Sequence, residues 1–126
     1  MAHPLKPFEI KRGDLTPITG RIVESDGELV NAASGGLLYA SAVYFFMRPS
    51  GLATAVISTA LASIVVASDN QVAYAWTPGQ TDASGMTLGT SAFYEAELSV
   101  LWKSGVPQRV PHEGFFSVVI NPKIPN

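Results

Sequence analysis

Residues 91–102 read SAFYEAELSVLW, and the period of this stretch decides the fold. From Tyr94 onward the residues alternate. Tyr94, Ala96, Leu98, Val100 and Trp102 fall on one face, and Glu95, Glu97 and Ser99 on the other. A period of two built from aromatic and β-branched residues marks a half-buried strand. At helical spacing the same residues would scatter Glu95 and Glu97 among the apolar positions, so a helix is disfavoured. Lys103-Ser104-Gly105 follows as a turn, and an apolar run at 114–120 returns beside the strand. The strand over 92–102 is therefore expected at the centre of the sheet.

Upstream, 8–11 reads as a short strand with Phe8 and Ile10 on one side. Arg12-Gly13-Asp14 breaks it. The tripeptide matches the integrin-binding sequence, but three residues carry little information, and a glycine turn accounts for them. A second strand over 18–24 ends at the hairpin signal Asp26-Gly27. Residues 29–40, with Asn31, Ser34, Gly35 and Gly36, read as a long flexible connection suited to reaching a neighbour. The strand over 41–48, SAVYFFMR, sets Val43, Phe45 and Met47 on one face and Tyr44, Phe46 and Arg48 on the other. Aromatics on both faces imply that both are covered, one by an opposing sheet and the other by a partner or by the preceding loop.

No charge occurs between Arg48 and Asp69, which raises the question of a membrane span. The Ser and Thr residues, and the β-branched Val56, Ile57, Thr59, Ile64, Val65 and Val66, favour strands instead. Residues 53–67 are expected to form one bent strand or two strands sharing a turn near 58–63. After a turn at Asp69-Asn70, the stretch 71–77 alternates with Val72, Tyr74 and Trp76 inward, and Pro78-Gly79 ends it. A polar connection over 80–90, a short piece at 108–110 and an extended tail over 121–126 complete the chain; the tail cannot continue a ladder. About seven or eight short strands without a convincing helix predict an all-β fold, an immunoglobulin-like two-sheet antiparallel sandwich. Trp76, Tyr94, Leu98 and Trp102 are its expected core anchors. Tyr94, which opens its strand after a long connection, is placed to hydrogen-bond back to that loop as in a tyrosine corner.

With 126 residues the chain is the size of one domain, 1–126, with short extended arms at both ends. Charged residues make up 14 % and hydrophobic ones 47 %, against roughly 25 % charged in ordinary soluble proteins. So much uncharged surface leans towards coverage by neighbours in an assembly. A net charge of −2 without a basic cluster lacks the footprint of a nucleic-acid binder. There is no cysteine, which excludes disulfides, thiolate metal sites and cysteine nucleophiles. The N-terminus, MAHPLKPFEI, has no apolar core of a secretory signal.

Catalytic constellations are not found. His3 and His112 have no second histidine or cysteine spaced to complete a metal site. Glu95 and Glu97 lie two strand residues apart, roughly 7 Å, a span glycosidase carboxylates use. Simple alternation gives the same pattern on a solvated face. No nucleophile elbow, phosphate loop or calcium loop is present. No enzyme activity, cofactor or metal is expected.

The order of four segments resembles a known family. Phe8-Glu9-Ile10-Lys11-Arg12-Gly13-Asp14 with Thr16-Pro17, Tyr44-Phe45-Phe46-Met47-Arg48, Ala75-Trp76-Thr77-Pro78-Gly79-Gln80-Thr81, and Tyr94-Glu95-Ala96-Glu97-Leu98 through Trp102 to the Gly105 turn together resemble the small immunoglobulin-like domain of tailed-phage virion proteins. The likeness is to the N-terminal domain of upper baseplate proteins, and it covers most of 8–120. Two features depart from that pattern. The connection over 30–40 is longer and richer in glycine, and the chain ends just after the last strand, where those proteins continue into helical and fibre-bearing regions.

The resemblance implies a non-enzymatic structural component of the virion, assembled in the host cytoplasm. It would dock on tail, baseplate or neck proteins as a homo-oligomer following the particle's symmetry, with no nucleic-acid or membrane partner. Gly35 and Gly36, Tyr39, Tyr44 and Phe46, and Asn121, Pro122 and Ile124 are the candidate interface residues. A capsid decoration protein of the phage head would have the same composition and arms. In a different class, a carbohydrate- or surface-binding module would use Tyr44 and Phe46, or else Tyr39, as a stacking platform.

Overall fold

A computed structural model describes residues 8–22, 35–81, 90–111 and 115–122. Eight strands follow one another as β1 (Phe8–Lys11), β2 (Ile18–Arg21), β3 (Ala40–Pro49), β4 (Ile57–Val66), β5 (Gln71–Tyr74), β6 (Ala92–Trp102), β7 (Pro107–Val110) and β8 (Phe116–Asn121). The helical turns among the described residues are two short 3-10 pieces, Gly36–Tyr39 and Ala67–Asp69. The chain is all-β.

The strands form one mixed sheet in the order β1-β8-β6-β3-β4-β5-β2, with β7 also on β6, nearly closed into a barrel. β6 holds it together. One of its edges pairs with β3 from Tyr94 opposite Pro49 to Trp102 opposite Ala40. Its other edge is shared end to end, by β8 along 92–96 and by β7 along 98–101. The central position expected for the alternating stretch is thus observed.

β4 carries the ladder around the fold. Its first half pairs with β3 and its second half with β5, so a single bent strand forms, the first of the two arrangements expected for that region. It begins at Ile57, later than the sequence suggests, because residues 50–56 loop back and Val56 N–H closes on the Met47 carbonyl at 2.8 Å. The register slips between Phe45 and Met47, opposite Thr59, whose φ of 56° lies in the left-handed region. A bulge of this kind bends and twists its strand. The uncharged stretch before Asp69 is this strand, and no helix among the described residues is long and apolar enough to cross a membrane.

The sheet is not purely antiparallel. β1 lies parallel to β8, with Phe8 opposite Val118 and Lys11 opposite Asn121. Alternation encodes which face a residue takes but not the direction of its neighbour, so the sequence held no signal for this pair. The hairpin signal at Asp26-Gly27 and both histidines lie outside the described residues.

Inward alternation fills the interior. Val43, Phe45 and Met47 are buried, as are Val72, Tyr74, Trp76, Val100, Val118 and Ile120. Phe45 stacks on Tyr74 with ring centroids 4.2 Å apart and meets the edge of Trp76 at 5.9 Å. Offset stacks and edge contacts of this kind add to plain burial. Trp76, just past the end of β5, donates its Nε1–H to the Thr16 carbonyl at 3.1 Å. Thr81 Oγ1 donates to the Asp14 carbonyl, and Gly13 N–H reaches the Thr81 carbonyl. These bonds stitch the β1–β2 link onto the segment after β5 and make Arg12-Gly13-Asp14 a structured turn.

Candidate functional site

The solvent side of β3, β6 and β7 is where the sequence-predicted aromatics lie. Alternation sends Tyr44, Phe46 and Arg48 outward from β3, opposite Ser99, Glu97 and Glu95 of β6. Two clusters result. Arg109 of β7 places its guanidinium 4.3 Å from the centre of the Phe46 ring and donates through Nη1 to Glu97 at 2.9 Å. Arg48 places its guanidinium 4.4 Å from the centre of the Phe115 ring, and its Nε donates to Glu95 Oε1 at 3.3 Å. The same Glu95 oxygen accepts the Gly51 N–H at 3.4 Å. Each arginine therefore meets both a ring and its own carboxylate, and the charges of each arginine and its glutamate cancel.

The Phe46 ring thus lies against the guanidinium of an arginine from β7, on the far side of β6 from β3. Glu95 and Glu97, on the same face of β6, each pair with their own arginine. Apolar side chains surround the clusters. Leu61 of β4 lies opposite Tyr44 and is 70 % exposed, and Phe93 at the start of β6 is 61 % exposed. Val106, beside β7, is likewise exposed.

The other candidate residues are scattered. Tyr39 ends a 3-10 turn at the rim, partly exposed, and its carbonyl accepts the Lys103 N–H at 2.9 Å. Gly35 caps that turn with φ 85°. Gly36 is buried, and a Cβ there would lie 2.1 Å from Asn70 Oδ1, so this glycine serves close approach of the chain. Asn121 is the last residue of β8. Its carbonyl accepts the Arg12 N–H at 2.8 Å and its Oδ1 the Ser91 hydroxyl, also at 2.8 Å, so the ladder extends one residue into the expected tail. Pro122 is half-buried beside it, and Ile124 lies outside the described residues. Among the anchors, Trp76, Tyr94 and Trp102 are buried, while Leu98 is half-buried against the core. The hydroxyl of Tyr74 donates across a turn to Gln80 Oε1 at 2.8 Å, while most of the connection to which Tyr94 is expected to bond back lies outside the described residues.

Sequence reasoning missed Arg109 and Phe115 as members of this face. Arg109 was legible only through register, since it meets Ser99 across the β6–β7 hairpin. Phe115 precedes its strand and reaches Arg48 only in the folded chain. Elsewhere, a shallow open groove of about 240 Å³ runs along Thr19, Gly20, Arg21, Val65, Gln71 and Val72. Among the described residues no three His, Cys, Asp or Glu side chains gather as metal ligands. Comparison with protein-family models, with curated proteins and with solved structures found no match.

Proposed function

We propose that this chain is a non-enzymatic docking module of a tailed-phage virion that binds other virion proteins through the outer face of β3, β6 and β7. The observation that carries the reading is the pair of Arg–aromatic–Glu clusters set among exposed apolar side chains. Arginine and aromatic residues are enriched where protein interfaces concentrate their binding energy. Here the guanidinium groups are already oriented, so little rotamer entropy remains to be lost on docking. The virion assignment is supported by the ordered motifs of the sequence that resemble the upper baseplate domain. We further read the curled sheet as an immunoglobulin-like sandwich. One layer is β1-β8-β6-β3 with the first half of β4, and the other is the second half of β4 with β5 and β2. The Phe45–Tyr74 stack between the layers supports this.

The carbohydrate-platform alternative is weaker on geometry, because a sugar stacking on Phe46 would compete with Arg109 for the ring. The test is location and incorporation. Particles purified from an infected lysate should contain the chain by mass spectrometry, with antibody-gold label at tail, baseplate or neck. The Tyr44→Ala/Phe46→Ala double variant should remain folded by circular dichroism yet be lost from particles. Label spread over the head would move the module to capsid decoration. Absence from particles would overturn the virion reading.

A further inference from the structure

We infer that the open edge of β2 pairs with the β2 edge of a second copy of this chain, joining two sheets about a two-fold axis at Gly20. β2 ends the strand order, with β5 on one side and, among the described residues, no strand on the other. Its register says which backbone groups are left over. Ile22 N–H bonds to the Asn70 carbonyl at 3.0 Å, one step beyond the pair of Arg21 and Gln71. Bonded pairs alternate with unbonded ones in an antiparallel ladder, so Gly20 and Ile18 also turn their backbone groups to β5. The N–H and C=O of Thr19 and Arg21 therefore point away from β5, along the free edge. A row of unpaired backbone groups is a template for another strand.

Three features single out this edge and this partner. The other outer edges are guarded: β1 carries the exposed charges Glu9 and Lys11, and β7 begins at Pro107 and is followed by Pro111. Charges and prolines are what blunt an edge. On β2 the one charge, Arg21, is drawn back to Asp69, by Nη2 to Oδ1 at 2.6 Å and by Nε to the carbonyl at 3.4 Å. Gly20 has open space where a side chain would stand, and with Thr19 and Arg21 it lines a shallow groove, so the middle of the strand presents no bulk. The free groups are also self-complementary. With Gly20 opposite Gly20 of the second copy, Thr19 of each chain faces Arg21 of the other, and each such pair exchanges both of its N–H···O=C bonds. An axis at Thr19 would instead set Pro17, which has no N–H, opposite Arg21. An axis at Arg21 would set the two arginines against each other. An isologous contact of this kind closes at a dimer. So short a pairing stands at the weak end of specific interfaces, with Kd on the order of 100 μM. It lies away from β3, β6 and β7 in the strand order and does not depend on the docking reading.

The experiment is sedimentation velocity of the full chain from about 5 μM to about 1 mM, with amide exchange followed at both ends of that range. Dimer should grow in with concentration, and the Thr19 and Arg21 amides should become protected as it does. Thr19→Pro removes an outward N–H and keeps the bonds of Ile18 and Gly20 to β5, so it should stay folded by circular dichroism and be monomeric. Thr19→Lys sets like charges opposite each other in both pairs and should weaken the dimer about threefold or more. Thr19→Glu should tighten it by a similar factor. Tyr44→Ala/Phe46→Ala should leave the dimer unchanged, which separates this contact from the docking face. A chain that stays monomeric throughout overturns the inference: with the two amides protected, the edge is covered from within the chain, and with them free it is open to a strand of a different protein. So does a dimer that Thr19→Pro and Thr19→Lys leave intact, or one that responds alike to Thr19→Lys and Thr19→Glu.

Discussion

Thr59 occupies φ 56° on an exposed stretch of β4, a conformation that costs a β-branched residue about 1–2 kcal/mol. Its side chain packs nothing into the core, so Thr59→Gly should relieve more strain than it adds in backbone entropy. A net gain of about 0.5–1 kcal/mol is expected, read as a raised midpoint in thermal or urea unfolding. Asp69 is a second residue with a directional prediction. Its carboxylate accepts from Gln71 Nε2 and Arg21 Nη2, each at 2.6 Å, and these bonds, Gln71 first, hold its pKa below the ordinary 3.8. A lowered folded-state value means stability that is present above about pH 4 and lost as pH falls through the folded pKa. Asp69→Asn should therefore flatten the fall of the melting temperature below about pH 4. Tyr94 behaves in the opposite sense. Burial raises its pKa above 10.0, so its contribution is present at neutral pH and fades as pH climbs from about 10 through the raised value. Tyr94→Phe should weaken the alkaline loss of stability.

At the scale of elements, the β6–β7 hairpin and the end of β8 make distinct predictions. Arg109 is more than half exposed, with its side chain at 52 %, so Arg109→Ala should cost less than about 1 kcal/mol in urea unfolding. It uncovers the Phe46 ring, and the docking reading expects weaker incorporation into particles despite intact folding. Asn121→Ala should lower the melting temperature, because the Asn121 side chain accepts the Ser91 hydroxyl at the end of the β1–β8 pair. Unchanged melting would show that the β1–β8 pair does not depend on that side chain. The alternation of β6 was legible because each face has a different environment along its whole length. The break in β4 was only half legible. Its small and β-branched residues announced strand, but nothing local marked Thr59 as the bend, since threonine is not a residue that favours positive φ.

Across the whole molecule, the largest buried aromatic contacts gather inside the curled sheet. Phe45 is fully buried and touches Tyr74, Trp76 and Phe116. Phe45→Ala should cost about 3–5 kcal/mol, a large part of a domain's typical margin, and chemical denaturation would measure it. Tyr74, Trp76 and Phe45 come from alternating stretches, so each could be read as inward. That Phe45 is their common centre could not be read, because β3 and β5 are separated by β4 and meet only when the sheet curls.

The sequence by itself determined that the chain is all-β, roughly where most strands lie, which face of β3, β5 and β6 is buried, and that the outer face of β3 carries aromatics. These follow from a period of two, from turn residues and from β-branched content, all local properties of the polymer. Only the tertiary structure decided the parallel β1–β8 pair, the passage of β4 between β3 and β5, the seat of each arginine on its ring and the bonds of the Asn70 side chain to Ile22 and Leu37. Each of these joins residues from separate parts of the chain, and their partners are set by register, twist and close packing. Those quantities exist only once the chain has closed on itself.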